Sequence, residues 1–166
     1  MVRMKFLVDA MLGKLARFLR IFGYDTVYAN DLIEYYNIDP VPDNNLKEYA
    51  QLTNRIVITK DLPFYNDIAD KAVHLEGEGI YVYLNQLKQK LKMPLKFNIQ
   101  NARCSMCNSP LQEVKNKVMI KKLVKHETYL NYNVFFQCGN PTCRKMFWNG
   151  PHIADINRKL QSTSEN

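Results

Sequence analysis

Apolar runs of strand length alternate with helix-length stretches through the first half of the chain, and two of those runs end on a single aspartate. Lys5-Phe6-Leu7-Val8 enters Asp9, and Arg55-Ile56-Val57-Ile58-Thr59-Lys60 enters Asp61. Strand and helix in alternation imply parallel strands joined by right-handed crossovers, with helices on the sheet faces. In an open sheet of this kind, ligands bind just outside the carboxyl ends of the strands. Two carboxylates delivered there by separate strands repel one another unless a cation lies between them. Hard oxygen donors suit Mg²⁺ or Mn²⁺.

The pattern predicts a strand over 4–8, buried and short. A helix follows over 10–22, with Leu12, Leu15, Leu19 and Phe22 on one face and Lys14, Arg17 and Arg20 off it. Gly23 suits a left-handed stop. A second strand is expected over 25–29 and a third over 55–59. Asp39-Pro40-Val41-Pro42 breaks any helix running through 32–36. Residues 43–52 read as a helix with Leu46, Tyr49 and Ala50 inward and Asp43 as N-cap. Two short strands are expected over 72–75 and 80–84, separated by Gly77-Glu78-Gly79. Leu84, Leu87 and Leu91 then share a stripe with the basic segment 88–92, which Pro94 ends.

At 166 residues the chain fits one domain, or one domain and a small module. Charge divides it. Residues 1–84 hold 9 Lys/Arg against 12 Asp/Glu, a net −3, while residues 85–166 hold 14 against 4, a net +10. An acidic half that can hold cations is joined to a basic half that can grip a polyanion. The same lysines would also suit an ordinary solvated surface. The boundary is expected near 93–101, giving units at 1–93 and 94–150, then a closing helix and a fraying tail within 151–166. The chain has no apolar run long enough to cross a membrane and no signal-peptide pattern, so a cytoplasmic protein is expected.

All four cysteines lie in the basic half, as Cys104-Ser105-Met106-Cys107 and Cys138-Gly139-Asn140-Pro141-Thr142-Cys143. Short-spaced pairs in a cytosolic chain favour structural Zn²⁺, which takes four thiolates at about 2.3 Å from two tight turns. A redox pair is the rival reading, but thioredoxin-like motifs sit at a βα junction and no helix is expected after Cys107. Beside the second pair, 134–137 and 146–148 are strand-like, so a small β-rich module is expected.

Taken singly, Asp9 and Asp43 suit helix N-caps, and Asp61 suits the turn Asp61-Leu62-Pro63. Taken as a set, they suit one or two cations that activate water and stabilise an in-line phosphate displacement. Asp31, Asp67 and Asp70 are more weakly placed. Lys14, Arg17, Arg20 and Lys60 lie close in sequence to these aspartates and are candidate phosphate contacts. In the basic half, Lys121, Lys122 and Lys125 are candidate backbone contacts. Trp148 suits base stacking and His152 polar packing or an RNA contact, although aromatics in a small ribbon also suit its core.

Three blocks then carry a family resemblance: Phe6 through Asp25, including Asp9-Ala10-Met11-Leu12-Gly13-Lys14-Leu15-Ala16-Arg17; Asp43-Asn44-Asn45-Leu46 with Asn54 through Asp61; and Arg103-Cys104-Ser105-Met106-Cys107-Asn108 with Cys138 to Cys143 and Phe147-Trp148-Asn149-Gly150-Pro151-His152. In this order they resemble the Mut7-C ribonuclease family. The resemblance implies a PIN-like open parallel α/β sheet flanked by helices, followed by a small β-rich zinc ribbon. It implies a metal-dependent ribonuclease, acidic residues at Asp9, Asp43 and Asp61, and zinc on Cys104, Cys107, Cys138 and Cys143. RNA is the implied partner. The chain departs from the family pattern where Asn44 and Asn45 replace common acidic residues, in Lys60 where an Arg is usual, in an apparent insertion at 33–42, and in a longer second cysteine turn. Two rival functions stay open, a non-catalytic RNA-binding adaptor and a DNA nuclease.

Overall fold

The computed structural model describes residues 4–162. Strands β1 (Lys5–Val8), β2 (Asp25–Tyr28), β3 (Ile56–Thr59) and β4 (Ala72–His74) form a wholly parallel sheet in the order β2-β1-β3-β4. Its centre is covered on both faces, which is why β1 reads as an unbroken apolar run. Phe6 and Val8 share a core with Leu15 and Leu19 of α1 (Gly13–Ile21), Leu84 and Leu87 of α5 (Ile80–Leu91) and Ile156 of α7 (Pro151–Ser162). Leu7, on the opposite face, shares a second core with Leu46 and Ala50 of α3 (Asp43–Leu52) and Phe64 of α4 (Leu62–Ile68). A short α2 (Ile33–Tyr36) precedes α3 and ends on Asn37 in left-handed conformation.

Because all four strands point the same way, Val8 pairs with both Tyr28 and Ile58, and Thr59 pairs with His74. The residues that follow, Asp9 from β1 and Lys60-Asp61 from β3, therefore leave the sheet along one edge. Helix α1 stops as expected, with Gly23 at φ 85° directly after its last turn.

Three sequence expectations change. Residues 80–84 form the first turns of α5, not a strand. Ile80, Tyr81, Val82 and Tyr83 are good strand formers, but burial of Tyr83, Leu84 and Leu87 on one helical face outweighs that local preference. Asp43 is the first helical residue of α3, whose N-cap is Pro42; its carboxylate favours the helix N-terminus by position in the first turn. Asp61 opens a helix instead of a turn, since its Oδ1 accepts from the Phe64 N–H at 2.8 Å, an N-cap bond for α4.

A second, antiparallel sheet is built from β5 (Leu111–Glu113), β6 (Phe136–Cys138) and β7 (Met146–Phe147), in that order. Between β5 and β6 the chain makes a lysine-rich excursion containing α6 (His126–Asn131). The small sheet is tied to the large one by polar contacts. Arg103 N–H donates to the Arg20 carbonyl at 2.9 Å, and Asn108 donates to Asp25 Oδ1 at 2.7 Å while accepting from the Thr26 N–H at 3.0 Å. Helix α7 then returns to the first core. It extends to Ser162, and the rest of the expected tail, residues 163–166, lies outside those described.

Candidate catalytic edge and nucleic-acid interface

Asp9 is buried, 9% exposed, at the mouth of β1. Its Oδ1 accepts from the Ala10 N–H at 2.6 Å, capping the turn that starts α1. Its Oδ2 accepts from the Thr59 hydroxyl at 2.6 Å. The same hydroxyl oxygen accepts from the Asp61 N–H at 2.9 Å. Thr59 is fully buried and so couples the two strand-end aspartates through one atom. It lies two residues before Asp61 on the alternating strand pattern, but that spacing alone does not say which neighbour it bonds.

Asp43 reaches this edge from α3. Burial, then the negative charges of Asp9, Asp61 and Asp67, push its carboxyl above the ordinary carboxylate range. Three other carboxylates thus bear on Asp43 here. They stand further apart than a closed ligand set, since among the described residues only the cysteines form a group of three or more ligand atoms all within 4.8 Å. Asp67 is also paired with Lys47 at 2.9 Å. Asp31 is drawn away, bonded to Arg20 and accepting from the Tyr28 N–H. Asp70 precedes β4 and so lies at the opposite sheet edge.

Tyr28 closes the β2 side of the edge, its hydroxyl donating to the Ala10 carbonyl at 2.7 Å. Burial and the charge of Asp31 hold its phenol above the ordinary value, against the opposing charge of Arg17. The ring lies so close to α1 that a Cβ at Gly13 would sit 3.0 Å from it, which explains glycine at the first helical position.

The cysteines meet as two crossed pairs: Cys104 Sγ lies 3.7 Å from Cys143 Sγ, and Cys107 Sγ 3.3 Å from Cys138 Sγ. Tetrahedral ligation at about 2.3 Å requires sulfur–sulfur edges of about 3.8 Å, so the donor set fits a metal such as zinc. Burial raises Cys104 and carries Cys138 up to about 12. Burial also opposes ionisation of Cys107, but the hydroxyl and backbone N–H of Ser109 outweigh it and bring that thiol down to about 6.

The basic residues separate into three groups. Lys14 and Arg17 are exposed on α1 and line a cleft of about 1110 Å³ shared with the small sheet and α7, where Trp148 and His152 also lie. Lys121, Lys122 and Lys125 are exposed on the excursion before β6, and Lys125 borders a neighbouring groove of about 760 Å³. Lys60 stands at the aspartate edge but pairs with Glu78 and lies 5.5 Å from the Tyr83 ring centroid.

Arg20 requires a correction. It is 2% exposed, and its guanidinium donates to the carbonyls of Thr26, Ser105 and Met106 and to Asp31. It is a strut between α1, β2 and the first cysteine turn, with no face open to phosphate. Sequence reading missed Thr59, Tyr28 and Lys145, the last of which lines both grooves beside the metal module.

Among the described residues, no helix is long and apolar enough to cross a membrane. A family model described as Mut7-C RNAse domain matches residues 4–160. No curated protein and no solved structure matches the chain.

Proposed function

The chain belongs to the Mut7-C RNase domain family, and from that premise we propose that it hydrolyses RNA phosphodiester bonds with Mg²⁺ or Mn²⁺ held at the carboxyl edge of its parallel sheet. In this reading the sheet is PIN-like. Residues 1–93 carry the chemistry, and residues 94–150 form a structural zinc ribbon that helps to bind RNA. Asp9 and Asp61 are the direct ligands, and Asp43 is a third ligand or orients the attacking water. A cation bound there lowers the pKa of a coordinated water and offsets charge on the phosphate.

The chain's own residues prepare that chemistry. Thr59 holds one oxygen of Asp9 and, through the Asp61 N–H, the entry to α4. The N-cap bond from Phe64 fixes one oxygen of Asp61 and leaves Oδ2 without a protein hydrogen-bond partner among the described residues. Attack of water on phosphorus breaks the bond to the leaving oxygen, yielding a phosphate monoester and a hydroxyl end.

The observation that carries this reading is the gathering of carboxylates at one sheet edge: Thr59 joins Asp9 to the Asp61 backbone, and Asp43 of α3 is pushed up by burial and then by the charges of both. Like charges gathered at one edge are stabilised by a divalent cation between them. Zinc at the four thiolates is supported by their edge lengths, and a reducing compartment such as the cytoplasm keeps those thiolates available.

Cleavage of labelled RNA tests the reading, with Mn²⁺, Mg²⁺ or no added cation. Asp9→Asn and Asp61→Asn, checked for fold and bound zinc, are expected to lose at least a hundredfold in rate. Binding without cleavage in the wild type would instead favour a non-catalytic adaptor. Preferential cleavage of DNA would overturn the substrate assignment.

A further inference from the structure

We propose that the two grooves flanking β7 form one track for single-stranded RNA, with Lys145 and Trp148 at the crossing between them. The proposal rests on the ribonuclease reading and adds the substrate's form and its path.

Three observations carry it. First, Lys145, Met146 and Trp148 line both the larger cleft and the smaller groove, so the two border one another at β7. Second, cations stand along both. Lys14 and Arg17 of α1 border the larger cleft, and Lys125 and Arg144 border the smaller groove. The larger cleft also holds two carboxylates, Asp31 and Asp155, but each is already paired, with Arg20 and with Arg158 and Lys159. Lys14, Arg17 and Lys145 have no ion-pair partner among the described residues. Third, Trp148 is only partly absorbed into the small core. Its ring meets Tyr132 and Phe135 at centroid distances of 6.4 and 6.2 Å, yet the residue is half-buried and borders both grooves. Gly150 lets the indole lie flat on the chain, since a Cβ there would sit 2.9 Å from Trp148 Nε1.

Lysines and arginines that follow a backbone, interrupted by an aromatic face, are the elements of single-strand binding. Size points the same way. A cleft of about 1110 Å³ accommodates a few nucleotides, whereas duplex RNA is read across a surface spanning about 16 base pairs. The track is also near the chemistry. Lys14 and Arg17 are on the helix that Asp9 introduces, and Tyr28, which borders the larger cleft, holds the Ala10 carbonyl. A strand crossing β7 toward α1 is thereby led to the aspartate edge.

Trp148 is the chain's single tryptophan, so its emission reports this site alone. Zinc-loaded, full-length Asp9→Asn protein is titrated with unlabelled oligouridylate, with oligoadenylate and with duplex RNA of matched length. Anisotropy of end-labelled copies reports total binding. The expected result is saturable quenching of Trp148 by both single strands, at concentrations matching the anisotropy curve, with duplex at least tenfold weaker. Lys145→Ala, a change at an exposed side chain, is expected to weaken single-strand binding several-fold, and Gly150→Ala to reduce the quench by displacing the indole. Saturated anisotropy with unchanged Trp148 emission overturns the track, as does duplex binding as tight as single-strand binding or no binding at all. Cleavage by wild-type protein is measured in parallel. Cleavage without a Trp148 response rejects the track alone, and a Trp148 response without cleavage rejects the nuclease reading alone.

Discussion

Thr59 is the residue on which the candidate site depends most closely. Its hydroxyl donates to Asp9 and accepts from the Asp61 backbone, and it is fully buried. Thr59→Val preserves shape but strands a partly buried N–H and a buried carboxylate oxygen, which costs about 1–3 kcal/mol. Urea denaturation is expected to show that loss, with a parallel drop in cleavage, and Thr59→Ser to restore both. A valine variant as stable and active as wild type would remove Thr59 from the account. Asp9 and Asp61 were legible in the sequence because each ends an apolar run, and sheet topology converts that position into an edge. Thr59 was not, because its role depends on which strand lies beside β3. Arg20 was misread for a related reason: on α1 alone it faces solvent, and it is buried only when a turn eighty-five residues later docks on it.

At the scale of elements, the two sheets are held together by a polar seam instead of a shared strand. Asp25 lies at its centre. Burial raises its carboxyl, but hydrogen bonds from Arg55 and Asn108 and the charges of Arg55 and Arg103 outweigh that and hold it below the ordinary carboxylate range. A carboxylate lowered by folding stabilises the folded state at pH values above its unfolded pKa, and that contribution fades as pH falls through the lowered value. Asp25→Asn is therefore expected to cost about 1.5–3 kcal/mol near neutrality, with the gap to wild type closing below about pH 4. Denaturation midpoints of both proteins across that range check it, since zinc loss at acid pH affects both alike. A gap independent of pH would show that shape, not charge, matters at this position. The seam was not readable, since nothing in the spacing of Arg103 and Asn108 around the first cysteine pair says that they dock on β2. Nor was helix α5: Ile80-Tyr81-Val82-Tyr83 has strand propensity, and only packing of Leu84 and Leu87 under α1 decides the matter.

Across the whole molecule, the division of charge seen in the sequence becomes a division in space. The acidic half supplies the aspartate edge, and the basic half supplies the lysines beyond it. Neutralising Lys121, Lys122 and Lys125 together is expected to weaken RNA binding and to reduce the slope of log affinity against log salt by about 2, at roughly 0.7 per phosphate contact on a single strand. An unchanged slope in the triple variant would make these lysines ordinary solvated surface. The central claim, that aspartates from separate elements converge on a divalent cation, is tested most directly by Mn²⁺ uptake. The electron paramagnetic resonance signal of free Mn²⁺ is followed as zinc-loaded protein is added. Wild type is expected to remove the signal, and Asp9→Asn, Asp43→Asn and Asp61→Asn to remove at least tenfold less at equal concentration. Equal uptake by wild type and all three variants would contradict the claim.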